Sequence, residues 1–258
     1  MTEARSRSGK EVVVQRSVHD AVNYAAHAIV RVVREAAGKN GFCHVALAGG
    51  TTPYLLYKEL ADMAVTGEVP WSQVEVFFGD ERDVPLDDVE SNYNMALRTL
   101  LNNVPVQPTR VHPMRADAKD LSAAAAEYEQ ILRGLVPAQD GMPRLDLVLL
   151  GMGADGHTAS LFPGTEALDV ADRLVAAYHV PVLGRNRMTF TFPLINAASH
   201  VLLLVTGEDK AAAVAALLGE DAAARAQIPA SRVAPRAGKL TLVLDHAAAK
   251  LTSLAVGG

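Results

Sequence analysis

Residues 145–164 read LDLVLLGMGADGHTASLFPG, an apolar run followed by a glycine-rich loop. The run has the length and the continuous hydrophobicity of a strand that is buried on both faces of a sheet. The loop after it spells Gly-x-Gly-x-x-Gly, with Gly151, Gly153 and Gly156. This pattern after a strand is typical of the turn that holds the pyrophosphate of a dinucleotide. The stretch therefore predicts an α/β fold and leaves open which ligand its loop serves.

The residues after the glycines argue against a dinucleotide. Such a turn needs a helix directly after it and an acidic residue about 20 positions further on, at the end of the next strand. Here Pro163 and Gly164 limit the following helix to little more than one turn. The next predicted strand, 174–178, runs on into His-Val-Pro-Val and offers no carboxylate. We therefore reject the NAD interpretation.

Strand-like and helix-like segments alternate along the chain. Strands are predicted at 11–15, 42–48, 74–78, 145–150, 174–178, 187–192, 201–206 and 240–244. The first helix is predicted between its cap Ser17 and Gly38 just past its end. The next helix is predicted to start with Thr52 as N-cap and Pro53 at its first position. Further helices are predicted from 91 to 101, at 119–135, at 209–218 and after Asp245.

This alternation predicts the fold class. Strands separated by helices of this length imply a mostly parallel sheet with helices on both faces. No stretch reads as a linker between domains. We predict a single α/β domain over residues 11–258, preceded by a flexible tail over residues 1–10.

The composition excludes several classes of function. The chain of 258 residues is 50% hydrophobic and has a net charge of −5, and it lacks a basic cluster, so nucleic acid is not expected as a partner. No window approaches the roughly 18 apolar residues of a membrane span. The single cysteine, Cys43, excludes an intrachain disulfide and favours a reducing cytoplasm. The sequence has no HExxH, no compact His/Cys cluster and no G-x-S-x-G elbow, so neither a metal site nor a serine hydrolase is expected.

Three predicted strand ends carry unusual chemistry, and parallel strands bring such ends to one edge of the sheet. The first is Gly49-Gly50-Thr51-Thr52, which offers backbone N–H groups, two hydroxyls and a helix N-terminus. These are the parts of a phosphate site. An ordinary capped turn is an equal alternative. No Lys-Ser or Lys-Thr pair follows, so a nucleoside triphosphate is not expected.

The second strand end is Gly79-Asp80-Glu81-Arg82-Asp83. The Arg82 guanidinium suits bidentate recognition of a phosphate or carboxylate. Asp80 and Glu81 would orient it or a neighbouring imidazole. The alternative is a surface ion-pair cluster of little energetic consequence.

The third strand end carries His157, two residues after Asp155. Histidine takes and returns protons at neutral pH, and a neighbouring carboxylate fixes its tautomer.

Lys210 begins a predicted helix, where a lone lysine is most often simply solvated. Arg187 stands at the start of a predicted strand and is ambiguous on the same grounds.

Together these motifs resemble a known family. GGTTP, FFGDERDVPLDDVESNYNMA, LDLVLLGMGADGHTASLFPG, NRMTF and TGEDK, in this order and spacing, resemble the 6-phosphogluconolactonases. They form one branch of the superfamily that includes the glucosamine-6-phosphate deaminases. The resemblance spans nearly the whole chain and implies a Rossmann-like α/β fold. It also implies hydrolysis of 6-phospho-D-glucono-1,5-lactone in the pentose phosphate pathway, without metal or cofactor.

The same resemblance implies roles for the candidate residues. The implied catalytic set is His157, which would transfer the proton, with Asp155 and Asp80 close to it. The implied binding set for the phosphorylated substrate is Gly49, Gly50, Thr51, Thr52, Glu81, Arg82, Arg187 and Lys210. The expected partner is a small phosphosugar lactone. A monomer in the cytoplasm is expected, with a dimer as the alternative.

Two other functions stay open. The deaminases continue from the shared histidine as GHIAFNEPG, with a glutamate that assists ring opening. The aligned residue here is Phe162, which favours a lactonase. A non-catalytic sugar-phosphate sensor on the same scaffold is the second alternative. In the lactonase reaction, His157 would activate a water that attacks C1 and would then return the proton to the ring oxygen.

Overall fold

The computed structural model describes residues 5–7, 10–64, 67 and 69–254. Its strands are β1 (Arg5–Arg7), β2 (Lys10–Gln15), β3 (Cys43–Leu47), β4 (Val74–Phe78), β5 (Asp80–Arg82), β6 (Ala138–Gln139), β7 (Met142–Pro143), β8 (Leu147–Leu150), β9 (Val175–Val180), β10 (Arg185–Phe190), β11 (His200–Val205) and β12 (Lys239–Asp245). Its α-helices are α1 (Val18–Asn40), α2 (Thr51–Ala64), α3 (Asn92–Thr99), α4 (Leu121–Leu135), α5 (Phe192–Ile195), α6 (Ala211–Leu218), α7 (Ala222–Ala226) and α8 (His246–Ala249).

The main sheet has the strand order β1-β2-β12-β11-β8-β3-β4. The six strands from β2 to β4 in this order run parallel, and β1 is antiparallel to β2. The predicted mostly parallel α/β fold is thus confirmed. The flexible tail predicted over residues 1–10 stays a prediction. Residues 1–4 and 8–9 lie outside the described part, and Arg5–Arg7 pair with the beginning of β2.

The direction of the chain across the sheet reverses between β3 and β8. From β3 the chain moves outward to β4, and from β8 it moves the other way to β11 and β12. Because parallel crossovers are right-handed, the helices of the two directions cover opposite faces. Loops after β3 and β8 diverge at this point, and such a switch point opens a crevice at the carboxyl ends of the strands.

Helix α1 ends later than its sequence indicates. Ser17 caps its start as predicted, and the Ser17 hydroxyl accepts a hydrogen bond from the N–H of Asp20 (3.1 Å). The predicted end at Gly38 is wrong, because α1 continues to Asn40 and Gly41 terminates it. Gly41 adopts φ 81° and donates its N–H to the carbonyl of Ala37 (2.9 Å). Either glycine fits a C-terminal position by type, and the conformation selects Gly41.

A second, antiparallel sheet has the order β5-β10-β9. It contains the strands that the sequence predicts at 174–178 and 187–192, which therefore lie outside the main sheet. Only a tight turn separates β9 from β10, and parallel pairing would need a crossover of a dozen or more residues. Strand β5 follows β4 directly after Gly79, so this small sheet is connected to the main sheet at the carboxyl end of β4.

Buried tyrosines satisfy backbone groups at two strand ends. The Tyr57 hydroxyl donates to the carbonyl of Ala48 (2.6 Å) and accepts from the Ala48 N–H (2.9 Å). The Tyr128 hydroxyl accepts from the N–H of Phe78 (2.9 Å) and donates to the carbonyl of His112 (2.8 Å). Loops that leave β3 and β4 therefore start from fixed points.

Over the described ranges, no helix combines the length and the apolar character needed to cross a membrane.

Candidate functional site

A cleft of about 520 Å³ opens at the carboxyl edge of the main sheet, at the switch point. The loops after β3, β4 and β8 contribute to its lining, together with β10 and the segment after β11. Nine of the predicted site residues line it: Gly49, Gly50, Thr51, Thr52, Asp80, Arg82, His157, Arg187 and Lys210. The convergence expected from the sequence is therefore present in the structure.

The turn after β3 presents the N-terminus of α2 to this cleft. Gly50 adopts φ 102°, a conformation that favours glycine, and α2 begins directly after it. The predicted N-cap role of Thr52 is wrong, since Thr52 lies within the first helical turn. Its hydroxyl is hydrogen-bonded to the hydroxyl of Thr206 (2.8 Å) instead. The N–H groups of the first turn of a helix have no partner within the helix, and they attract anions.

Two arginines face each other across the small sheet beside this turn. Arg82 on β5 pairs directly with Arg187 on β10. The Arg187 side chain is 11% exposed, and its nearest carboxylate oxygen, on Asp83, is 3.7 Å away. Burial and the adjacent Arg82 both lower the pKa of Arg187. The carboxylates of Asp80 and Asp83 oppose this effect, and an anion bound between the two guanidinium groups would stabilise them further.

Lys210 contributes a third cation from the segment after β11. It ends a short 3₁₀ turn, Glu208–Lys210, which precedes α6. Its ammonium group contacts the carboxylate of Asp209 (2.8 Å). The turn itself is fixed by Asp245, which accepts a hydrogen bond from the N–H of Gly207 (3.0 Å). Lys210 therefore enters the cleft from an anchored loop.

His157 and Asp155 form a hydrogen-bonded pair. Nδ1 of His157 lies 2.6 Å from Oδ1 of Asp155, and the same oxygen accepts the backbone N–H of His157 (3.1 Å). A carboxylate can only accept, so the proton of the neutral imidazole resides on Nδ1. Within the described part of the chain, Nε2 of His157 has no hydrogen-bond partner. Asp155 lies behind the imidazole rather than in the lining of the cleft.

Asp80 lies in the cleft lining and is 7% exposed. Oδ2 of Asp80 accepts a hydrogen bond from the hydroxyl of Ser160 (2.6 Å), and Oδ1 accepts one from the amide of Asn92 (3.2 Å). The expected orienting of an imidazole or of Arg82 is not among its hydrogen bonds. Asp80 thus presents a fixed carboxylate to the cleft.

Glu81 does not line the cleft, although the sequence places it in the binding set. It is fully buried and caps α3, accepting the N–H groups of Arg82 (2.8 Å), Asn92 (2.8 Å) and Tyr93 (2.9 Å). Burial raises the pKa of this carboxyl, and those three N–H donors oppose the effect. The strand alternates its side chains, so Glu81 points away from the face that Asp80 and Arg82 share. Glu81 therefore fixes the backbone of Arg82 and the start of α3 without lining the cleft.

Sequence reasoning did not single out Ser160, Asn92 and Thr206. Ser160 stands inside the quoted motif, three residues after His157, where a small polar residue was a signal. Asn92 and Thr206 also stand inside quoted motifs, but nothing local to them indicates their contacts with Asp80 and Thr52. In the described residues, no group of three or more His, Cys, Asp or Glu side chains could hold a metal ion.

Comparisons with known proteins agree with this geometry. A family model described as glucosamine-6-phosphate isomerases/6-phosphogluconolactonase matches residues 16–242. A 6-phosphogluconolactonase of Synechocystis sp. is 41% identical over 217 residues, which cover 84% of this chain and 87% of that protein. The solved structure of 6-phosphogluconolactonase from Trypanosoma cruzi has a TM-score of 0.82 and 31% identity, and the match covers 97% of this chain and 99% of that one. A monomeric glucosamine-6-phosphate deaminase shares the fold, with a TM-score of 0.79 at 22% identity and coverage of 93% and 99%.

Proposed function

The chain belongs to the glucosamine-6-phosphate isomerase/6-phosphogluconolactonase family, and we propose that it hydrolyses 6-phospho-D-glucono-1,5-lactone to 6-phosphogluconate in the pentose phosphate pathway. One observation carries this proposal. A histidine with a free Nε2 and three cationic side chains line the same cleft. The substrate has a matching pair of groups, an activated acyl carbon and a phosphate at the far end of the molecule.

His157 acts as the general base in the proposed reaction. Nε2 takes a proton from a water while the water oxygen forms a bond to C1 of the lactone. The bond between C1 and the ring oxygen then breaks, and the protonated imidazole gives its proton to that oxygen. Asp155 holds the Nδ1–H and stabilises the imidazolium that forms in between. General acid–base help of this kind supplies about 10²–10⁴-fold in rate.

The cationic part of the cleft holds the substrate phosphate. Arg82, Arg187 and Lys210 supply charge, and the first turn of α2 supplies N–H groups and the hydroxyl of Thr51. Gly50 lets the backbone of this turn approach the phosphate closely, whereas Gly49 makes room for Asn92, whose Oδ1 would lie 1.8 Å from a Cβ at position 49. Anchoring one end of the lactone places its acyl carbon in register with His157. The buried Glu81 acts on this site only through Arg82 and α3.

Asp80 completes the catalytic set. Ser160 and Asn92 fix its carboxylate at the floor of the cleft. Its remaining lone pairs accept a hydrogen bond from a sugar hydroxyl. An ionised carboxylate in this position orients the ring without donating a proton to it.

Phe162 favours lactone hydrolysis over the deaminase alternative. The family resemblance places a glutamate at this position in the deaminases, and Phe162 brings no ionisable group. Its ring packs on the His157 imidazole, with the ring centroids 4.2 Å apart. Ring opening of an amino sugar would lack that carboxylate. Lactone hydrolysis does not need it, because the acyl group is already activated.

A three-part assay distinguishes the candidate functions. Freshly generated 6-phosphogluconolactone tests hydrolysis, with the spontaneous rate subtracted. Glucosamine 6-phosphate tests the deaminase alternative through release of ammonia. Calorimetry with 6-phosphogluconate tests the sensor alternative, which predicts binding without turnover. The proposal expects rapid lactone hydrolysis and no ammonia, and ammonia release or binding alone would replace it.

We further propose that the enzyme works as a monomer in the cytoplasm. The residues that the proposal assigns to catalysis and phosphate binding belong to one chain, which a monomeric enzyme requires. Cys43 is fully buried, and burial raises the pKa of its thiol, which suits a reduced structural cysteine. Light scattering after size-exclusion chromatography should give the monomer mass, and a dimer mass would overturn the oligomeric part.

A further inference from the structure

The imidazole of His157 is held by more than its hydrogen bond to Asp155. A single hydrogen bond at Nδ1 does not by itself stop the ring from rotating about its Cα–Cβ and Cβ–Cγ bonds. Proton transfer requires Nε2 to point at the attacking water, so this rotation has to be restricted. Two residues of the same loop, Gly153 and Phe162, adjoin the ring.

Gly153 leaves the space in which the imidazole lies. A Cβ atom built on Gly153 would lie 2.2 Å from both Cε1 and Nδ1 of His157, and 2.6 Å from Oδ1 of Asp155. These distances are far below any van der Waals contact, so a side chain at 153 would displace the catalytic pair. Gly153 is not among the glycines with a positive φ. Space, and not backbone conformation, therefore requires glycine at this position.

Hydrogen bonds within the loop hold the backbone of Gly153 in place beside the imidazole. The N–H of Gly153 donates to the carbonyl of His157 (2.9 Å), and the carbonyl of Gly153 accepts from the N–H of Gly156 (3.0 Å). These two bonds close the loop on itself around Asp155. The imidazole of His157 thus lies against the backbone of Gly153, and the carbonyl of His157 helps to hold that backbone in place.

Phe162 covers a face of the same ring. Its centroid lies 4.2 Å from the centroid of the imidazole, with 30° between the planes, and its side chain is buried. A second turn, closed by the N–H of Leu161 on the carbonyl of Thr158 (2.9 Å), brings Phe162 back towards His157. A ring contact this close restricts rotation of the imidazole.

We propose that Gly153 and Phe162 form a slot that positions the His157 imidazole for proton transfer. This inference rests on the proposed function and adds two positioning residues to it. It also assigns a use to part of the Gly-x-Gly-x-x-Gly pattern: the second glycine makes room for an imidazole and not for a pyrophosphate. The slot fixes the direction of Nε2, while Asp155 fixes the tautomer.

Gly153→Ala and Phe162→Leu test the slot, with Gly134→Ala as the matched control. A Cβ at Gly134, in α4, would meet nothing within 4 Å, so this control measures the effect of an added methyl group alone. Gly153→Ala should lower kcat by about 10²-fold, the scale of a displacement of about 1 Å, with little change in KM. Phe162→Leu keeps an apolar side chain but removes the aromatic ring, and it should lower kcat by up to about tenfold. Gly134→Ala should leave both constants unchanged.

A second readout does not depend on turnover. In ¹⁵N NMR spectra, the ring nitrogens of His157 should move in Gly153→Ala and Phe162→Leu and should keep their wild-type positions in Gly134→Ala. Should Gly153→Ala fail to fold, Phe162→Leu decides alone by the same readouts. A raised KM at unchanged kcat, or unchanged His157 signals in a folded variant, would overturn the slot. If the wild-type protein shows no lactonase activity while the His157 signals still move in the variants, the slot is supported and the proposed function is overturned.

Discussion

Arg187 on β10 lies directly opposite Arg82 on β5, so that two like charges occupy one cross-strand pair at the edge of the cleft. Like charges in this position destabilise a sheet. Burial of Arg187 adds to the cost, and together with Arg82 it lowers the pKa of that guanidinium. The carboxylates of Asp80 and Asp83 offset part of this cost, and a phosphate that bridges both guanidinium groups would offset more of it.

Replacing Arg187 should therefore abolish most of the stabilisation by phosphorylated ligand. A ligand at 100 times its Kd stabilises a folded protein by about 2.7 kcal/mol, which raises Tm. With 6-phosphogluconate, Arg187→Met should show less than half the wild-type rise in Tm. Arg185→Met is the matched control, because Arg185 on the same strand contacts Glu90 (2.6 Å) and does not line the cleft. Equal rises in both variants would contradict the phosphate assignment.

Replacing Lys210 should weaken substrate binding more than it slows the reaction. A hydrogen bond to a charged group contributes about 1.5–3 kcal/mol, which corresponds to a rise in KM of roughly 10–100-fold. Lys210→Met should show this rise with kcat within about threefold of the wild type. Lys119→Met, at an exposed lysine outside the cleft lining, is the control. A normal KM for Lys210→Met would remove Lys210 from the binding set.

Removing the hydroxyl of Ser160 should destabilise the protein and disturb Asp80. Its hydrogen bond of 2.6 Å is one of the contacts that satisfy a carboxylate with little exposure. Ser160→Ala should lower the free energy of unfolding by about 1.5–3 kcal/mol, measured by urea denaturation. Ser122→Ala, on the exposed side of α4, should change it by no more than about 0.5 kcal/mol. An unchanged stability of Ser160→Ala would mean that Asp80 does not depend on this donor.

The sequence was sufficient for the fold class and for the meeting of the loops. Continuous apolar strands and capped helices predict a parallel sheet, and a parallel sheet brings its carboxyl ends to one edge. The pairing of Arg82 with Arg187 could not be predicted, because it depends on the register between two antiparallel strands that lie far apart in the chain. The capping role of Glu81 was hidden for a related reason. Only the direction of β5 decides that Asp80 faces the cleft and Glu81 the core.

The loop at 151–164 shows the same limit at a smaller scale. Its glycines were visible, but their uses were not. Gly156 adopts φ 81°, whereas Gly153 is required by the space that His157 occupies. The tilted ring contact of Phe162 with His157 depends on a turn at Thr158–Leu161 that no local signal indicated. Steric requirements between side chains and a neighbouring backbone appear only in three dimensions.

His200 should make stability fall in mild acid. Burial, followed by the charge of Lys239, lowers the pKa of this half-buried histidine at the start of β11. The unfolded chain binds the proton at a pKa of about 6.5 and the folded protein only at a lower pH. The unfolded state therefore holds more protons just below pH 6.5, so the contribution of neutral His200 is complete above that pH and is lost as the pH falls. Between pH 7 and 5, His200→Gln should lose less free energy of unfolding than the wild type, and parallel curves would contradict this.

Hydrolysis of freshly generated 6-phosphogluconolactone by the wild type and by His157→Ala tests the central claim most directly. Calorimetry with 6-phosphogluconate on the same two proteins shows whether the phosphate site is intact. We predict that kcat falls by about 10²–10⁴-fold in His157→Ala, while the Kd for 6-phosphogluconate stays within a few fold of the wild type. Turnover by His157→Ala at close to the wild-type rate, after subtraction of spontaneous hydrolysis, would contradict the role of His157 as the general base.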